Sequence, residues 1–424
     1  MTQISQTLTS GMADERSGRW PLQLSLLAGS VLVVICSTPL APALPKMREA
    51  FADAGALQVP MVLTIPALAI VLVAPLVGWV ADRYGRKPLF IVSALLYGLV
   101  GSSGFIAQDM GTILLGRALF GVAVAGLMTS VAALLGDYFS GPARARFIGL
   151  QAAAMGIGNS LFLVLGGILA EGGWRPPFLM FLAAPALLPL FILSLYEPPH
   201  IKQSRMTNEQ GAPASLSWPL LRLTLFVYIL VGLSQIAFYL VPLQMPFWLR
   251  QRFATSSTES GVAIGLVAFS FALSAMVYGR IGTRVAHIPL AGLALALLGS
   301  SYLLIALAPS SPIVYAGLLL CGVALGWILP NLNLWLANQT PRALRGRLLG
   351  GFSAVIFLGH FLSPVLLQAP PTLAEMGDLW QRVGLGLLLF GLLVTLLQRP
   401  LLRLFHGGTG SRRPTSADVT ERAL

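Results

Sequence analysis

Two ionisable side chains sit where ionisable side chains are costly. Arg117, in GRALFGVAVAG (116–126), and His360, in an apolar run beyond Arg347, are flanked by stretches almost free of charge. An arginine at membrane depth costs roughly 2.5–3.5 kcal/mol on insertion scales, so it belongs against a bundle interior or a wet cavity. There it can offer a planar fork to a substrate or take part in proton-linked gating. The other reading is a structural arginine bonded to carbonyls and hydroxyls between helices. His360 has a reference pKa of about 6.5 and is the side chain here able to cycle protons near neutrality; the alternative is a neutral, hydrogen-bonded bystander.

Polar and aromatic residues recur at helical spacing around these two. Trp327, Asn331, Trp335 and Asn338 fall within an arc of about 80°, and Tyr228, Gln235 and Tyr239 within about 40°, at 100° per residue. Such faces read as cavity walls or as interhelical packing. Asn159 stands 201 residues before His360. All fifteen acidic residues fall in expected loops, tails or helix ends, so no carboxylate pair is available at membrane depth. No H-E-x-x-H, G-x-S-x-G, Walker A or CxxC pattern occurs, so neither an enzyme nor an ATP-driven pump is indicated, and no cofactor or metal site is expected.

A third group of residues gathers in one loop. GWVADRYGRKP (78–88) puts Asp82, Arg83, Arg86 and Lys87 within six positions. Gly78 and Gly85 lack a Cβ, which permits close helix approach and a sharp turn. Asp82 is an anion suited to face a helix N-terminus, and the three bases suit carboxylates or anionic lipid headgroups. Together they read as a latch that breaks and re-forms; the bare alternative is a basic loop that sets topology.

The elements that must position these residues follow from composition. The chain has 424 residues, 56% hydrophobic and 10% charged, with a mean hydropathy of +0.80. So few polar residues cannot cover a soluble domain of this size, which indicates a membrane protein. Apolar stretches long enough to cross a bilayer recur at approximately 22–43, 57–80, 88–107, 111–136, 147–170, 175–195, 219–243, 260–280, 288–308, 312–337, 347–369 and 379–398. The run after the N-terminal tail lacks a cleavage site and reads as a retained first span. The divisions expected are a cytoplasmic tail 1–21, a six-helix bundle 22–196, a cytoplasmic linker 197–218, a second bundle 219–400 and a cytoplasmic tail 401–424. With the N-terminus in the cytoplasm, twenty of the 27 Lys and Arg residues fall on the cytoplasmic side, as the positive-inside rule requires. The net charge of +12 is then a topology signal and implies no nucleic-acid partner. Cys36 and Cys321 lie in apolar runs and imply no disulfide.

The halves resemble each other. At an offset of 201, FGVAVAG (120–126) overlies CGVALGW (321–327), RARFIG (144–149) overlies RGRLLG (345–350), and Gly78 and Arg83 overlie Gly279 and Arg284. A duplicated six-span unit is the architecture in which two bundles rock about a midplane site.

GWVADRYGRKP resembles the signature of the major facilitator superfamily, G-x-x-x-D-R-x-G-R-[KR], between spans 2 and 3, and the resemblance extends over essentially the whole chain. GRALFGVAVAG is similar to the span-4 motif of that superfamily's drug/proton antiporter branch. Gly166 and Gly167 stand where the branch's span-5 motif has Gly-Gly, with Phe162 and Leu163 in place of its Gly-Pro. The resemblance implies twelve transmembrane helices in two pseudo-symmetric bundles, with spans 1, 4, 7 and 10 lining a cavity and Asp82 facing the start of span 11 near Gly346. It implies a secondary active transporter, proton-coupled and exporting a small drug or metabolite, in a bacterial inner membrane. The alternatives are an uptake symporter or facilitator for a sugar or organic acid, and a non-transporting assembly factor or sensor. The expected partners are a neutral or anionic small molecule, protons and membrane lipids, acting on a monomer.

Overall fold

In the computed structural model, residues 20–197, 216–281, 286–367 and 372–405 are described. The tails, most of the linker with Lys202 and Arg205, and the 282–285 stretch with Thr283 and Arg284 lie outside them. Among the described residues the fold is entirely helical. Eleven helices among the described residues are long and apolar enough to cross a membrane. A bent pair, Trp20–Val34 with Thr38–Ala50, makes a twelfth span with a 42° bend. Taking that pair as span 1, span 2 is Gln58–Tyr84, span 3 Arg86–Phe105, span 4 Met110–Tyr138, span 5 Gly141–Glu171 and span 6 Pro176–Ser194. The second half holds span 7, Trp218–Phe253, span 8, Ser257–Arg280, span 9, His287–Leu307, span 10, Ser311–Gln339, span 11, Ala343–Leu366, and span 12, Leu373–Leu396.

Span 1 is where the expected straight helix fails. Ser37 leaves the helical region at φ −137°, and Pro39 and Pro42 follow. Proline supplies no N–H, and its ring clashes with the carbonyl four residues earlier, so the helix breaks. Other ends depart by a few residues. Span 7 runs ten residues past its expected end at 243, until Ala254 adopts the left-handed conformation at φ +52°. Span 4 begins on Asp109, whose carboxylate accepts from the Thr112 hydroxyl (2.6 Å) and N–H (2.8 Å); those bonds hold its pKa below the usual range.

Hydrocarbon gives no hydrophobic drive between helices in a membrane, so small residues that let backbones meet decide the packing. In the second half, spans 9 and 12 cross with Gly292 against Gly391 and Gly299 against Gly384. The duplication read from the sequence recurs in space. A Cβ on Gly121 would meet the Pro66 carbonyl at 2.5 Å, and one on Gly322, 201 positions on, would meet the Val267 carbonyl at 2.4 Å.

The two halves touch on one side of the membrane and part on the other. Near the turn ends at 50 and 171, Gly167 and Gly261 bring spans 5 and 8 into backbone contact. Glu171 there accepts from the Thr258 N–H (2.8 Å) and hydroxyl (3.0 Å) across the halves, and Lys46 lies beside it. Arg250 pairs with Glu49 at 2.8 Å, again across the halves. On the other side, which carries the 84–86, 138–141 and 340–342 turns and is called the basic face below, spans 2, 5, 8 and 11 separate. A Cβ added to Gly78, Gly149, Gly279, Gly346 or Gly350 would find no neighbour within 4 Å among the described residues, and residues 141–146 are exposed. The structure is open toward the basic face.

A side chain at Gly167 would meet the Ser257 carbonyl at 2.7 Å and the Thr258 Cα at 2.9 Å. Overpacking of this kind costs about 1–3 kcal/mol. Gly167→Leu is expected to loosen the closed side, read as a wider distance distribution between spin labels on the ends of spans 5 and 8 near 171 and 257. An unchanged distribution would show that this crossing does not hold the side shut.

Candidate functional site

The break in span 1 builds the site. Where an unbroken helix would run, the Leu40 N–H turns to Ser37 (3.2 Å) and leaves the Cys36 carbonyl free. Span 2 has the same lack one helix away. Pro66 has no N–H for the Val62 carbonyl four residues earlier. A buried carbonyl without a donor costs about 1–3 kcal/mol. Arg117, 1% exposed, answers both: Nε donates to Val62 O at 2.9 Å and Nη2 to Cys36 O at 2.7 Å. Nη2 also donates to Ser37 Oγ at 3.1 Å, and the guanidinium lies over the rings of Phe120 and Phe181. The Nη1 donor is buried and has no partner among the described residues.

From span 2 the polar groups continue into the second half. The Tyr239 hydroxyl donates to Leu63 O at 3.4 Å, next to the Val62 carbonyl that Arg117 holds. Its ring stacks on His360, with centroids 4.2 Å apart and planes 22° from parallel. His360 Nε2 donates to Gln235 Oε1 at 2.9 Å, since an amide oxygen only accepts. Phe238 and Phe357 meet the imidazole edge-on. Gln235 Nε2 is buried and, like Arg117 Nη1, unpartnered among the described residues. Asn159 joins from the side, its Oδ1 accepting from Thr38 Oγ1 at 3.0 Å across the same break. Arg117 and Asn159 thus hold the broken segment Cys36–Thr38, and Tyr239, His360 and Gln235 extend the cluster from spans 7 and 11.

Asn331 and Trp327 do not join them. Asn331 is fully buried within the second half, where its amide donates to His287 O at 2.8 Å and its Oδ1 meets His287 Nδ1 at 2.8 Å. It fastens the start of span 9 to span 10 instead of lining the cavity. Trp327 is half-buried against the second half's core, its N–H without a partner among the described residues. A helical arc does not say which neighbour faces it, and here span 9 does.

The 78–88 loop lies far from this cluster, at the basic face. Gly85 is at φ +101°, a conformation that favours glycine, and so turns the chain from span 2 into span 3. Glu197 caps the new helix, accepting from the N–H groups of Arg86 (2.8 Å) and Lys87 (2.7 Å). The Arg86 guanidinium pairs with Asp137 of span 4, and Lys87 Nζ donates to Ile192 O at 2.9 Å. Arg83 lies over Trp79 and Tyr84. Asp82 is exposed, and neither Gly78 nor Gly346 has a neighbour among the described residues in this open form. The bases expected to join when this side shuts are therefore already engaged inside the first half. Glu197, Asp137, Ser37 and Thr38 were not legible as site residues. The available signal was proline spacing, since Pro39 and Pro42 follow Ser37, and Pro66 stands four residues after Val62.

Residues 26–364 match the Major Facilitator Superfamily. The chain belongs to that family. Among relatives, it is 28% identical over 315 residues to the multi-drug resistance efflux pump PmrA of Streptococcus pneumoniae serotype 4, covering 72% of this chain and 77% of that one. It is 28% identical over 349 residues to the class C tetracycline resistance protein of Escherichia coli, covering 77% and 84%. The match to the puromycin resistance protein pur8 of Streptomyces alboniger is 35% identical over 174 residues, 40% of this chain, and spans only 34% of that relative's length. Two solved structures share the fold. One is a bacterial homologue of the human lysosomal transporter Spinster, inward-facing and occupied (TM-score 0.71, 16% identity, 93% of this chain and 100% of that one). The other is the human organic anion transporter MFSD10 (TM-score 0.63, 22% identity, 88% and 99%). This facilitator-family chain is accordingly a multi-pass membrane transporter.

The arginine's two hydrogen bonds to otherwise orphaned carbonyls make a stability prediction. Arg117→Met should lower the thermal unfolding midpoint in detergent, because both carbonyls lose their donor, about 1–3 kcal/mol each. Adding Pro66→Ala restores an N–H for Val62 O and should recover part of the loss. If Pro66→Ala gives no recovery beyond its effect in the wild type, the arginine is not serving that carbonyl.

Proposed function

We propose that this transporter exports a small neutral or anionic organic solute by alternating access, coupled to protons, across a bacterial inner membrane. The observation that carries the proposal is a buried polar cluster without an acid: Arg117 on Val62 O and Ser37 in the first half, and Tyr239, His360 and Gln235 from the second, joined where the Tyr239 hydroxyl donates to Leu63 O. Two of its donors, Arg117 Nη1 and Gln235 Nε2, are unpartnered among the described residues, and an acceptor-bearing substrate would satisfy both. A cation would meet only the fixed charge of Arg117, strengthened by low surrounding dielectric. Both termini are assigned to the cytoplasm from the charge asymmetry of the loops, so the open basic face is the cytoplasmic one. The segments 22–196 and 219–400 are taken as the two moving bodies, joined by 197–218. Export is favoured by the names of the relatives, which are efflux and resistance proteins.

The deciding experiment is a substrate screen in proteoliposomes with a pH gradient imposed in each direction. Export predicts uptake into inside-out vesicles driven by an acidic interior; solute and proton moving the same way would favour the uptake symporter. His360→Gln should flatten the pH dependence of flux, since it removes the imidazole that the proposed proton coupling would use. An unchanged profile would remove His360 as the carrier. Arg117→Lys keeps the charge but loses the fork, and should weaken binding of carboxylates more than of neutral solutes.

Closure of the basic face would bring Asp82 to the start of span 11, where its charge suits the helix N-terminus. Asp82→Asn should therefore slow turnover while insertion and abundance stay near wild type. A wild-type rate would leave the loop as a fold and topology element only.

A further inference from the structure

A cavity of about 330 Å³ opens on the wall of the first half between spans 1, 4 and 5. That volume is at the small end of the range for ligand sites. Its walls are apolar and adaptable: Met128 and Val131 from span 4, Met155 from span 5. Polar groups occur at two points. Inside, Gln151 Nε2 donates to Ser30 Oγ at 2.8 Å, and Ser30 in turn donates to Leu26 O at 2.6 Å, so both hydroxyl functions are used and the Gln151 amide is fixed. Toward the basic face stands Arg144, exposed, with no acidic partner among the described residues. No acid lines the cavity.

The cavity also has a direction. On span 4, Met128 and Leu135 stand 11 and 18 positions after Arg117, which at 100° per residue puts all three within about 20° of one stripe. At 1.5 Å per residue the cavity begins about 16 Å from Arg117 along the helix, toward the open face. A cation at the mouth, an apolar body with a fixed amide, and a second cation deeper along the same stripe make a track for one kind of molecule.

We infer that this cavity is a reception site for amphipathic organic anions, with Arg144 taking the acid group and the methionine-lined wall taking the apolar body. The site is separate from the Arg117–His360 cluster and does not depend on the assignment of that cluster. Lysine at 144 would keep a charge for the anion, whereas glutamine would not. The arrangement explains why an arginine with no acidic partner among the described residues borders a largely apolar cavity: its charge is left for a ligand.

The test uses the full chain in detergent, with Cys36→Ala and Cys321→Ala removing the native thiols and Ala132→Cys placing one on the cavity wall. Alkylation by a maleimide is timed with and without naphthoate, naphthamide or naphthylmethylammonium, three probes of one shape and different charge. Naphthoate at nine times its dissociation constant should slow alkylation about tenfold, since the free fraction is then one tenth. Naphthamide should protect less and the ammonium least. Arg144→Gln should abolish the difference between naphthoate and naphthamide, Arg144→Lys should keep most of it, and Arg117→Lys should leave it intact. Equal protection by all three probes, or by none, would overturn the site. So would protection lost in Arg117→Lys but kept in Arg144→Gln, which would mean that naphthoate sits at the central cluster and shields the thiol by closing the protein.

Discussion

A carbonyl with no donor inside a membrane is the constraint from which the centre of this protein follows. Pro66 removes the donor for Val62 in span 2, and the Ser37–Pro39 turn removes the donor for Cys36 in span 1. In water such groups would be hydrated at little cost; in hydrocarbon each must be answered by the protein. Arg117 answers both with one guanidinium, which also accounts for a cation at that depth without any acid beside it. The arginine is therefore structural and available at once, because a five-donor fork is not exhausted by three bonds. Its Nη1 remains unpartnered among the described residues.

The same economy governs the two faces. Where the halves meet, contact is made by backbone: Gly167 against Gly261, and a carboxylate on a helix N-terminus at Thr258. Exposed ion pairs such as Arg250–Glu49 contribute little each, typically under about 1 kcal/mol, so a face closed this way can open again at modest cost. At the basic face the charged loop is braced internally by Glu197 and Asp137, which keeps its turn rigid while leaving Asp82 in solvent. A turn braced at both ends in this way holds its shape without ordering further long side chains, which would cost conformational entropy.

Much of this was legible in the sequence, and the limits have physical causes. Spans, repeat and family were open to reading because hydropathy and loop charge report directly on membrane insertion. Arg117, His360, Gln235 and Tyr239 stood out because polar groups at depth are rare, and they do come together. Asn331 stood out for the same reason, yet it serves the joint between spans 9 and 10. Periodicity gives the direction of a side chain about its own axis and says nothing of what the neighbouring helix brings. The broken span 1 passed for a straight one because hydropathy averages over the turn that Ser37 and the prolines make. Glu197 passed for linker, since a cap across 110 residues leaves no local pattern.

The duplication shows how the two halves came to differ while keeping one plan. Arg86 begins span 3 and is tied to span 4 through Asp137; His287, 201 positions on, begins span 9 and is tied to span 10 through Asn331. One joint is an ion pair near the surface and the other a part-buried amide–imidazole pair. Asn159 and His360 are likewise equivalent positions. The first holds the break in span 1 through Thr38, and the second stacks on Tyr239 and bonds Gln235. The first half thus presents a guanidinium and the second an imidazole, so one repeated plan now offers two different chemistries on the two walls of the cluster.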